Sequence, residues 1–531
     1  MRMTWQEIVT QKREAQAAAI GSYKAKAIGT EIEQDFRTIP NIEDLQKLYA
    51  SGNVNAEAVV RCYIESAIAA HEKTNCLTEI VFDDAVDYAK DSDSRLLVGD
   101  SSLSPLHGVP MTLKDQFNVK GYDSTIGYVG RALKPAQDDA VLVKMLRSLG
   151  AIILAKTNLP QSIMWCETDN PLWGLTTNPV DSSYTPGGST GGEAALLALN
   201  GSMMSWGTDI GGSIRIPSHM MGLYGLKPSS SRLPYTGVPV STEGQEHVPS
   251  SIGPMARSLS SITYVMKTLA DAKPWEHDAR CAPIPWRNEL YDSCLSRPLT
   301  IGVLLDDGVV RPHPPITRVL SSVVELLKGA GHDIIEWDAS LHLEGIAVMD
   351  AFYSADGGID IRADVAACGE PFIPHVERLV NRGEAISVYE YWQLNRKKWA
   401  IQQAYLEKWN RIRSPVTGRA ADILIMPPMP HTSVPHGGCR WVGYTKIWNL
   451  VDYSALVIPG GKIEQQDKDT VWDFEARNEM DDWNAELWRK NKEDMIRLGL
   501  PVGIQIIGRK LEEEKVLAAG KLFDEILRGK S

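Results

Sequence analysis

The chain of 531 residues is 43% hydrophobic and 23% charged, values of an ordinary globular protein that exclude a disordered or collagen-like chain. Its formal net charge of -12 argues against a nucleic-acid partner, because proteins that bind the phosphate backbone concentrate lysine and arginine. The seven cysteines include no C-x-x-C pair that would suggest zinc or redox chemistry. No metal ion and no cofactor is expected.

The sequence shows neither the pattern of a secretory signal nor that of a membrane helix. The segment from Met1 to Gln11 lacks the apolar stretch of a secretory signal. The longest apolar run, 194–199, is far shorter than the roughly 20 residues that a membrane helix needs. The sequence therefore predicts a cytoplasmic protein without a transmembrane segment. No pattern encodes the oligomeric state, and a homodimer is compatible with the sequence.

Residues 1–75 are predicted to form an N-terminal helical layer, because apolar residues recur at helical spacing, as in Val60, Ile64 and Ile68. In 76–531, short apolar runs alternate with amphipathic stretches, of which 140–149 is one. This alternation favours an α/β sheet covered by helices on both faces. The predicted strands are 79–82, 109–113, 152–155, 203–206, 223–226, 301–305, 333–337, 423–426, 455–458 and 502–507.

Three other stretches have a simpler reading. Prolines are frequent between Pro274 and Pro315, which indicates a long surface connection. Residues 343–412 are predicted to be mainly helical, and a last helix is predicted at 511–527. Glycines concentrate between 187 and 225, where we expect the chemistry to lie.

The first of three candidate elements is the loop Pro186–Glu193, which places two small hydroxyl residues among four glycines before an apolar helix. Glycine permits close approach of another group, so the loop could bind an anion, orient a hydroxyl or simply form a turn. It lacks the Gly-Lys-Ser/Thr ending of a phosphate-binding P-loop.

The second element is Gly207–Pro217, in which Ser213 follows Ser189 by 24 residues. This spacing fits a helix followed by a strand, with Ser213 at the strand's end. There it would lie beside the amide groups of Ile210, Gly211 and Gly212, an arrangement suited to stabilising a developing oxyanion. A Gly-Gly turn with a capping serine explains the same residues.

The third element is Gly108–Asp115, a short apolar strand that ends in Lys114. A lysine at a strand end is usually solvated. An amine buried beside hydroxyl groups, however, has a lowered pKa and can act as a base, which serine requires because its hydroxyl is a poor nucleophile near neutral pH.

Together these elements, in this order and at these spacings, resemble the amidase signature family, and in particular fungal acetamidase-type amidases and fatty acid amide hydrolases. The similarity is almost continuous over 108–257 and returns in 422–428, 455–461 and 499–508, about half of the chain. Further blocks that resemble the family are Lys156–Pro160, Asn170–Gly174, Asn178–Pro179, Leu226–Pro228 and Gly253–Arg257.

The resemblance implies a single large domain with a mixed central sheet, made of a signature core at 108–257, a variable pocket region at 343–450, and C-terminal strands and a helix at 451–531. It also implies an amide hydrolase that acts on a small-molecule amide through a seryl acyl-enzyme. Ser213 would be the nucleophile, Ser189 the bridging serine after a cis peptide from Gly188, and Lys114 the base.

Pocket residues are predicted from their position between the motifs. Met164, Trp165 and Trp173 lie between blocks that would converge on the nucleophile, so we expect them to line the pocket. From the variable region, Tyr353, Trp441 and Tyr444 are further candidates. The residues His107, His219 and His247 have no metal-ligand spacing and are interpreted as structural.

Three alternatives remain open. Gly187–Gly191 also fits the G-x-S-x-G elbow of α/β-hydrolase esterases, which would make Ser189 the nucleophile, although an elbow needs a strand directly before it. A non-catalytic, amidotransferase-like subunit fits the acidic composition poorly. An amide-forming acyltransferase of the same family would differ only in the acceptor of the acyl group.

Overall fold

An eleven-stranded β-sheet organises the protein. The computed structural model describes residues 3–27, 35–97 and 103–529. In chain order, the strands in these ranges are β1 (Leu77–Ile80), β2 (Pro110–Lys114), β3 (Ile152–Thr157), β4 (Met204–Asp209), β5 (Tyr224–Lys227), β6 (Ser251–Ala256), β7 (Thr300–Val303), β8 (Asp333–Glu336), β9 (Ile423–Met426), β10 (Ala455–Lys462) and β11 (Pro501–Ile507).

Across the sheet the strand order is β1-β3-β2-β4-β6-β5-β10-β11-β9-β7-β8. Strand β2 is parallel to β3 and β4, and β7 is parallel to β8 and β9. The remaining pairs are antiparallel. The mixed sheet confirms the predicted fold class.

Side chains along the central strands alternate between two apolar cores, one on each face of the sheet. In β9, Ile423 and Ile425 enter one core, whereas Leu424 and Met426 enter the other. Both faces are therefore covered by helices, which in the described ranges are α1 (Trp5–Ala27), α2 (Ile42–Ala50), α3 (Ala56–Thr74), α4 (Phe82–Leu97), α5 (Val141–Ser148), α6 (Gly191–Ala198), α7 (Arg215–Met221), α8 (Leu259–Asp271), α9 (Asn288–Leu295), α10 (Pro314–Gly329), α11 (His342–Tyr353), α12 (Ile359–Ala366), α13 (Pro374–Val380), α14 (Val388–Arg411), α15 (Gly443–Leu450), α16 (Glu479–Leu498) and α17 (Glu513–Leu527).

All ten predicted strands overlap observed strands, and the differences have local causes. The predicted strand 79–82 is displaced to β1, because Phe82 begins α4, whose first turn carries Asp83 and Asp84 beside the positive helix end. Strand β6 was not predicted, since its Gly253 and Pro254 weaken the strand pattern. The predicted surface connection of 274–315 contains the helix α9, so that prediction was wrong for this element.

The N-terminal layer contacts the sheet through several helices. Buried residues of α3, including Val60 and Ile64, share an apolar core with Met111 and Leu113 of β2. Helix α3 begins at an asparagine cap, with the Asn55 side chain accepting the Ala58 amide. Residues 1–2 and 28–34 of the predicted layer, and 530–531 of the predicted C-terminal region, lie outside the described residues. The division of the chain at residue 75 stays a prediction.

Candidate active site

Lys114 occupies the last position of β2, on the face opposite the apolar core. Because side chains alternate along a strand, Met111 and Leu113 enter the core while Thr112 and Lys114 project to the other face. There α6 covers them, and the Thr112 hydroxyl donates to Glu193 of that helix. The lysine therefore lies inside the protein at the strand's end.

The amine of Lys114 is fully buried between two hydroxyl groups. Its Nζ lies 2.7 Å from Ser189 Oγ and 3.0 Å from Thr208 Oγ1. Burial lowers the pKa of Lys114 to about 7, although the carboxylates of Asp209 and Glu193 oppose this shift. A large part of the amine is thus uncharged near neutral pH, as a proton acceptor must be.

Ser189 lies on the glycine-rich loop directly before α6. The peptide bond between Gly188 and Ser189 is cis, as the sequence resemblance implied. At Gly187 φ is +88°, and a Cβ atom there would lie 2.9 Å from Pro217 Cα, so both the backbone conformation and the space require glycine. The loop thereby brings Ser189 against the lysine and against the turn that carries Ser213.

Ser213 lies in the turn between β4 and α7, four residues beyond the end of β4. The Thr190 amide donates to the Ser213 carbonyl oxygen at 3.1 Å, which joins the loop of Ser189 to this turn. Within the described part of the chain, the Ser213 hydroxyl has no side-chain hydrogen-bond partner, and it faces two cavities. Its oxygen is therefore open to an incoming molecule.

A buried ion pair holds the turn in shape. Arg215 contacts both carboxylate oxygens of Asp209, at 2.8 and 3.0 Å, and both side chains are inaccessible to solvent. Burial by itself would raise the pKa of Asp209, but the Arg215 guanidinium holds it well below its ordinary value. The same carboxylate accepts the amides of Gly212 and Ile214.

Arg215→Met is expected to destabilise the protein by about 3 to 5 kcal/mol, because it leaves the Asp209 carboxylate buried without its partner. The measurement is urea unfolding followed by circular dichroism. Arg489→Met is the matched control, since Arg489 pairs with Glu486 on the exposed surface of α16 and should cost less than about 1 kcal/mol. Equal losses in the two variants would contradict this account.

The turn from Asp209 to Ser213 presents three amide groups in an ordered way. Each of the first four carbonyl oxygens in the turn accepts a hydrogen bond. The Asp209 carbonyl accepts from Asn449 Nδ2, and the Ile210 carbonyl accepts from the Tyr353 hydroxyl. The Gly211 carbonyl accepts from the Thr445 hydroxyl, and the Gly212 carbonyl accepts from the Ile216 amide. In a trans peptide the N–H points away from the carbonyl oxygen. Among the described residues, the amides of Ile210, Gly211 and Ser213 have no acceptor.

The expectation for Gly212 needs correction. Its amide donates to Asp209 Oδ1 at 2.8 Å and so is not available to an oxyanion. The glycine is required for another reason: its φ is +131°, and a Cβ atom would lie 2.3 Å from Thr445 Oγ1. Ile210 and Gly211, with the amide of Ser213 itself, remain as candidate donors.

Two cavities meet at Ser213. The first, of about 280 Å³, contains Met164, Trp165, Tyr353 and Trp441 among its lining residues. The second, of about 600 Å³, contains Ser189, Thr208 and Met164 and has a more polar wall. The first volume is at the lower end of the range for small-molecule sites, so this side of Ser213 accommodates a small group.

The pocket predictions have mixed outcomes. Met164 and Trp165 line the first cavity, as do Tyr353 and Trp441 of the variable region. Trp173 does not: it is buried against α1, with Lys12 5.6 Å from its ring centroid, so that prediction was wrong. Tyr444 is likewise buried in the core, where its hydroxyl donates to the Val310 carbonyl.

Sequence reasoning missed several residues of the site. Thr208 contacts Lys114 and donates to Gln116 Oε1 at 2.6 Å, while Glu193 lies on α6 beside them. Burial raises the pKa of Glu193 to about 7. Thr208 lies inside the motif Gly207–Pro217. It could have been identified as a site residue because it is a polar residue near the end of a predicted buried strand.

The esterase-type alternative lacks its structural context. The segment before Ser189 forms turns and one isolated bridge at Tyr184, not the strand that a nucleophile elbow needs. None of the hydrogen bonds made by histidine side chains in the described ranges goes to Ser189 or Ser213. His219, for example, accepts the Gly503 amide.

The described residues contain no group of three or more histidine, cysteine, aspartate or glutamate side chains placed to hold a metal ion. Of the helices in the same ranges, none combines the length and apolar character that crossing a bilayer requires.

A buried lysine bonded to a serine, next to an accessible serine where two cavities meet, forms a candidate active site. The sequence profile of the Amidase family matches residues 58–517. The chain is 52% identical to "Amidase 1" of Gibberella moniliformis, over 99% of this chain and 100% of the relative. It is 35% identical to the "Acetamidase" of Emericella nidulans, over 99% and 100%.

Among solved structures, a fatty acid amide hydrolase superposes with a TM-score of 0.85 at 29% identity, covering 99% of this chain and 91% of that one. The chain belongs to the amidase signature family and is an amidase. The family prediction is therefore confirmed.

Proposed function

We propose that the enzyme hydrolyses carboxylic amides to the acid and ammonia or an amine through an acyl-enzyme on Ser213, with Ser189 as the bridging serine and Lys114 as the base. The observation that carries this proposal is the 2.7 Å contact between Lys114 Nζ and Ser189 Oγ at a fully buried position. A neutral amine at this position can accept the proton of the Ser189 hydroxyl.

A chain of hydrogen bonds supports the direction of proton movement. Gln116 Nε2 donates to the Pro239 carbonyl at 3.0 Å, which turns Oε1 toward the Thr208 hydroxyl. Thr208 gives its proton to Gln116 and can only accept from Lys114. Lys114 thus donates one N–H to Thr208. The lone pair of the Lys114 nitrogen is then free to accept from the hydroxyl of Ser189.

The proposed reaction balances in two half-reactions. Ser189 passes its proton to Lys114 and takes the proton of Ser213, whose oxygen attacks the amide carbon, while the free amides of Ile210, Gly211 and Ser213 stabilise the oxyanion. Ser189 then gives a proton to the leaving nitrogen and recovers one from Lys114, while the oxyanion collapses to a carbonyl and the carbon–nitrogen bond breaks. Water attacks the acyl-enzyme by the same path, which releases the acid and restores Ser213.

The relay also assigns the two cavities. The leaving nitrogen takes its proton from Ser189, so it must face the cavity that Ser189 lines, which is the larger one. The acyl group then enters the cavity of about 280 Å³. This volume favours short and medium acyl groups over long chains.

The test of this function is the release of ammonia from a series of primary amides with increasing acyl length. We expect kcat/KM to pass through a maximum at short or medium length and to fall for long chains. Product analysis in the presence of a competing amine distinguishes hydrolysis from acyl transfer, because transfer yields a new amide. Absence of ammonia release across the whole series would overturn the proposal.

The rate is expected to depend on pH through Lys114. Because the base must be uncharged and burial lowers its pKa to about 7, kcat/KM should rise with pH through about 7 and level off above about 8. At pH 5 roughly 1% of the plateau value should remain. Glu193, whose pKa is also about 7, titrates in the same range, so the apparent value belongs to the pair.

The controls for the pH profile are recovery of full activity after return to pH 8, which excludes irreversible unfolding, and an unchanged circular dichroism spectrum at the low pH, which excludes reversible unfolding. A flat profile between pH 5.5 and 8, or a rate that rises as the pH falls, would contradict an uncharged lysine as the base.

Thr208→Val is expected to lower kcat by about 10- to 100-fold with little change in KM, because the amine loses the acceptor that orients it. That acceptor also stabilises the protonated amine, so its loss should move the rising limb of the pH profile to lower pH. Thr208→Ser keeps the hydroxyl and should restore both properties. A lowered kcat with an unmoved pH limb in Thr208→Val would indicate a purely structural role.

A further inference from the structure

Cationic side chains gather at the smaller cavity beside Ser213. Among its described lining residues, Arg382, Arg440 and Lys446 are cations and Asp350 is the single carboxylate. The whole chain has a formal net charge of -12, so a net positive wall is opposite in sign to the protein that carries it. Such local fields concentrate ligands of the opposite charge.

One carboxylate cannot balance these cations. Lys446 Nζ lies 2.6 Å from Asp350 Oδ1, and the two charges neutralise each other. Arg382 lies 3.7 Å from the same carboxylate, at the limit of an ion pair, and is about half exposed. The Asp350 carboxylate is therefore already paired with Lys446, and Arg382 can still bind another anion.

Arg440 has no carboxylate partner in the described parts of the chain. Its guanidinium carbon lies 3.4 Å from the ring centroid of Trp483, a stacking contact that fixes its plane. Burial and then the like charge of Arg378 lower the pKa of Arg440, while Glu167 opposes them. Glu167 is buried and accepts the amides of Gly437 and Cys439, so its charge is already satisfied.

We infer that the acyl group of the preferred substrate carries a carboxylate, so that the enzyme acts on monoamides of dicarboxylic acids. A stacked guanidinium without an ion pair has free N–H groups in the geometry that binds a carboxylate with two parallel hydrogen bonds. The inference rests on the proposed function, which assigns this cavity to the acyl group.

The test compares three amides with the same two-methylene spacer and different terminal charge: succinamate (anionic), levulinamide (neutral) and β-alaninamide (cationic). We expect kcat/KM to be highest for succinamate, by about tenfold over levulinamide, and lowest for β-alaninamide. Added salt should reduce the preference for succinamate, because the arginines lie at the solvent-exposed mouth.

Arg440→Gln and Arg382→Gln identify the groups responsible. Each should lower the ratio of kcat/KM for succinamate to that for levulinamide by about threefold, since the two arginines together account for the preference of about tenfold. Arg95→Gln is the matched control: Arg95 is an exposed arginine on α4 whose partner is Asp91, and its loss removes the same charge without changing the ratio.

The outcomes separate the two proposals. If levulinamide is hydrolysed as fast as succinamate, or if neither cavity variant lowers the ratio, the inference is overturned while the proposed function stands. If none of the three amides is hydrolysed under conditions in which the purified protein is folded, the proposed function fails and the inference fails with it.

Discussion

Ser213→Ala is expected to reduce kcat/KM for amides by four or more orders of magnitude, on the order of the losses that follow removal of a catalytic serine. The variant lacks the hydroxyl oxygen that, in the proposed mechanism, attacks the amide carbon to form the acyl-enzyme. The turn should keep its shape, since it is held by Asp209 and Arg215. The measurement is ammonia release by a protein whose unfolding transition is unchanged.

A fluorophosphonate, which reacts with activated serines, provides a second readout. It should label Ser213 in the unaltered protein, as peptide mapping would reveal, and should not label Ser213→Ala. Ser218→Ala is the matched control, because Ser218 lies five residues further along, is buried, and donates its hydroxyl proton to the Ile214 carbonyl. Labelling at Ser189 would contradict the assignment and favour Ser189 as the nucleophile.

Local patterns in the sequence predicted the sheet well, because buried strands need apolar runs and each run is short. The burial of Lys114 could not be predicted from such patterns. Nothing in the run before Lys114 distinguishes a solvated strand end from a covered one. Its burial depends on α6 and on the loop of Ser189, 75 residues away in the chain.

Trp173 and Gly212 show a second limit. Trp173 lies between two motif blocks, yet its ring packs against α1 near Lys12, and no spacing within the motifs indicates that direction. Gly212 was expected to offer its amide to the substrate. The amide instead donates to Asp209, a contact set by the buried pair with Arg215. The first contact joins distant parts of the chain and the second is a local bond between a side chain and the backbone. The periodicity of a single sequence encodes neither.

The proposed proton path depends on Lys114. It has one polar neighbour on each side, Ser189 at 2.7 Å and Thr208 at 3.0 Å. No other amine is bonded to either hydroxyl in the described ranges. In the proposed path, a proton that Ser189 takes from Ser213 would have no acceptor beyond Ser189 if Lys114 were removed.

Lys114→Met is therefore expected to lower kcat by about three to four orders of magnitude, while methionine fills most of the volume of the buried side chain. The rising limb near pH 7 should disappear from any residual rate, because the titrating base is gone. Lys156→Met is the matched control: Lys156 is a buried lysine on the neighbouring strand β3, bonded to Ser124, and its loss should reduce stability but keep kcat per folded molecule within about tenfold. A Lys114→Met enzyme with a near-normal rate at pH 7 would exclude this lysine as the base.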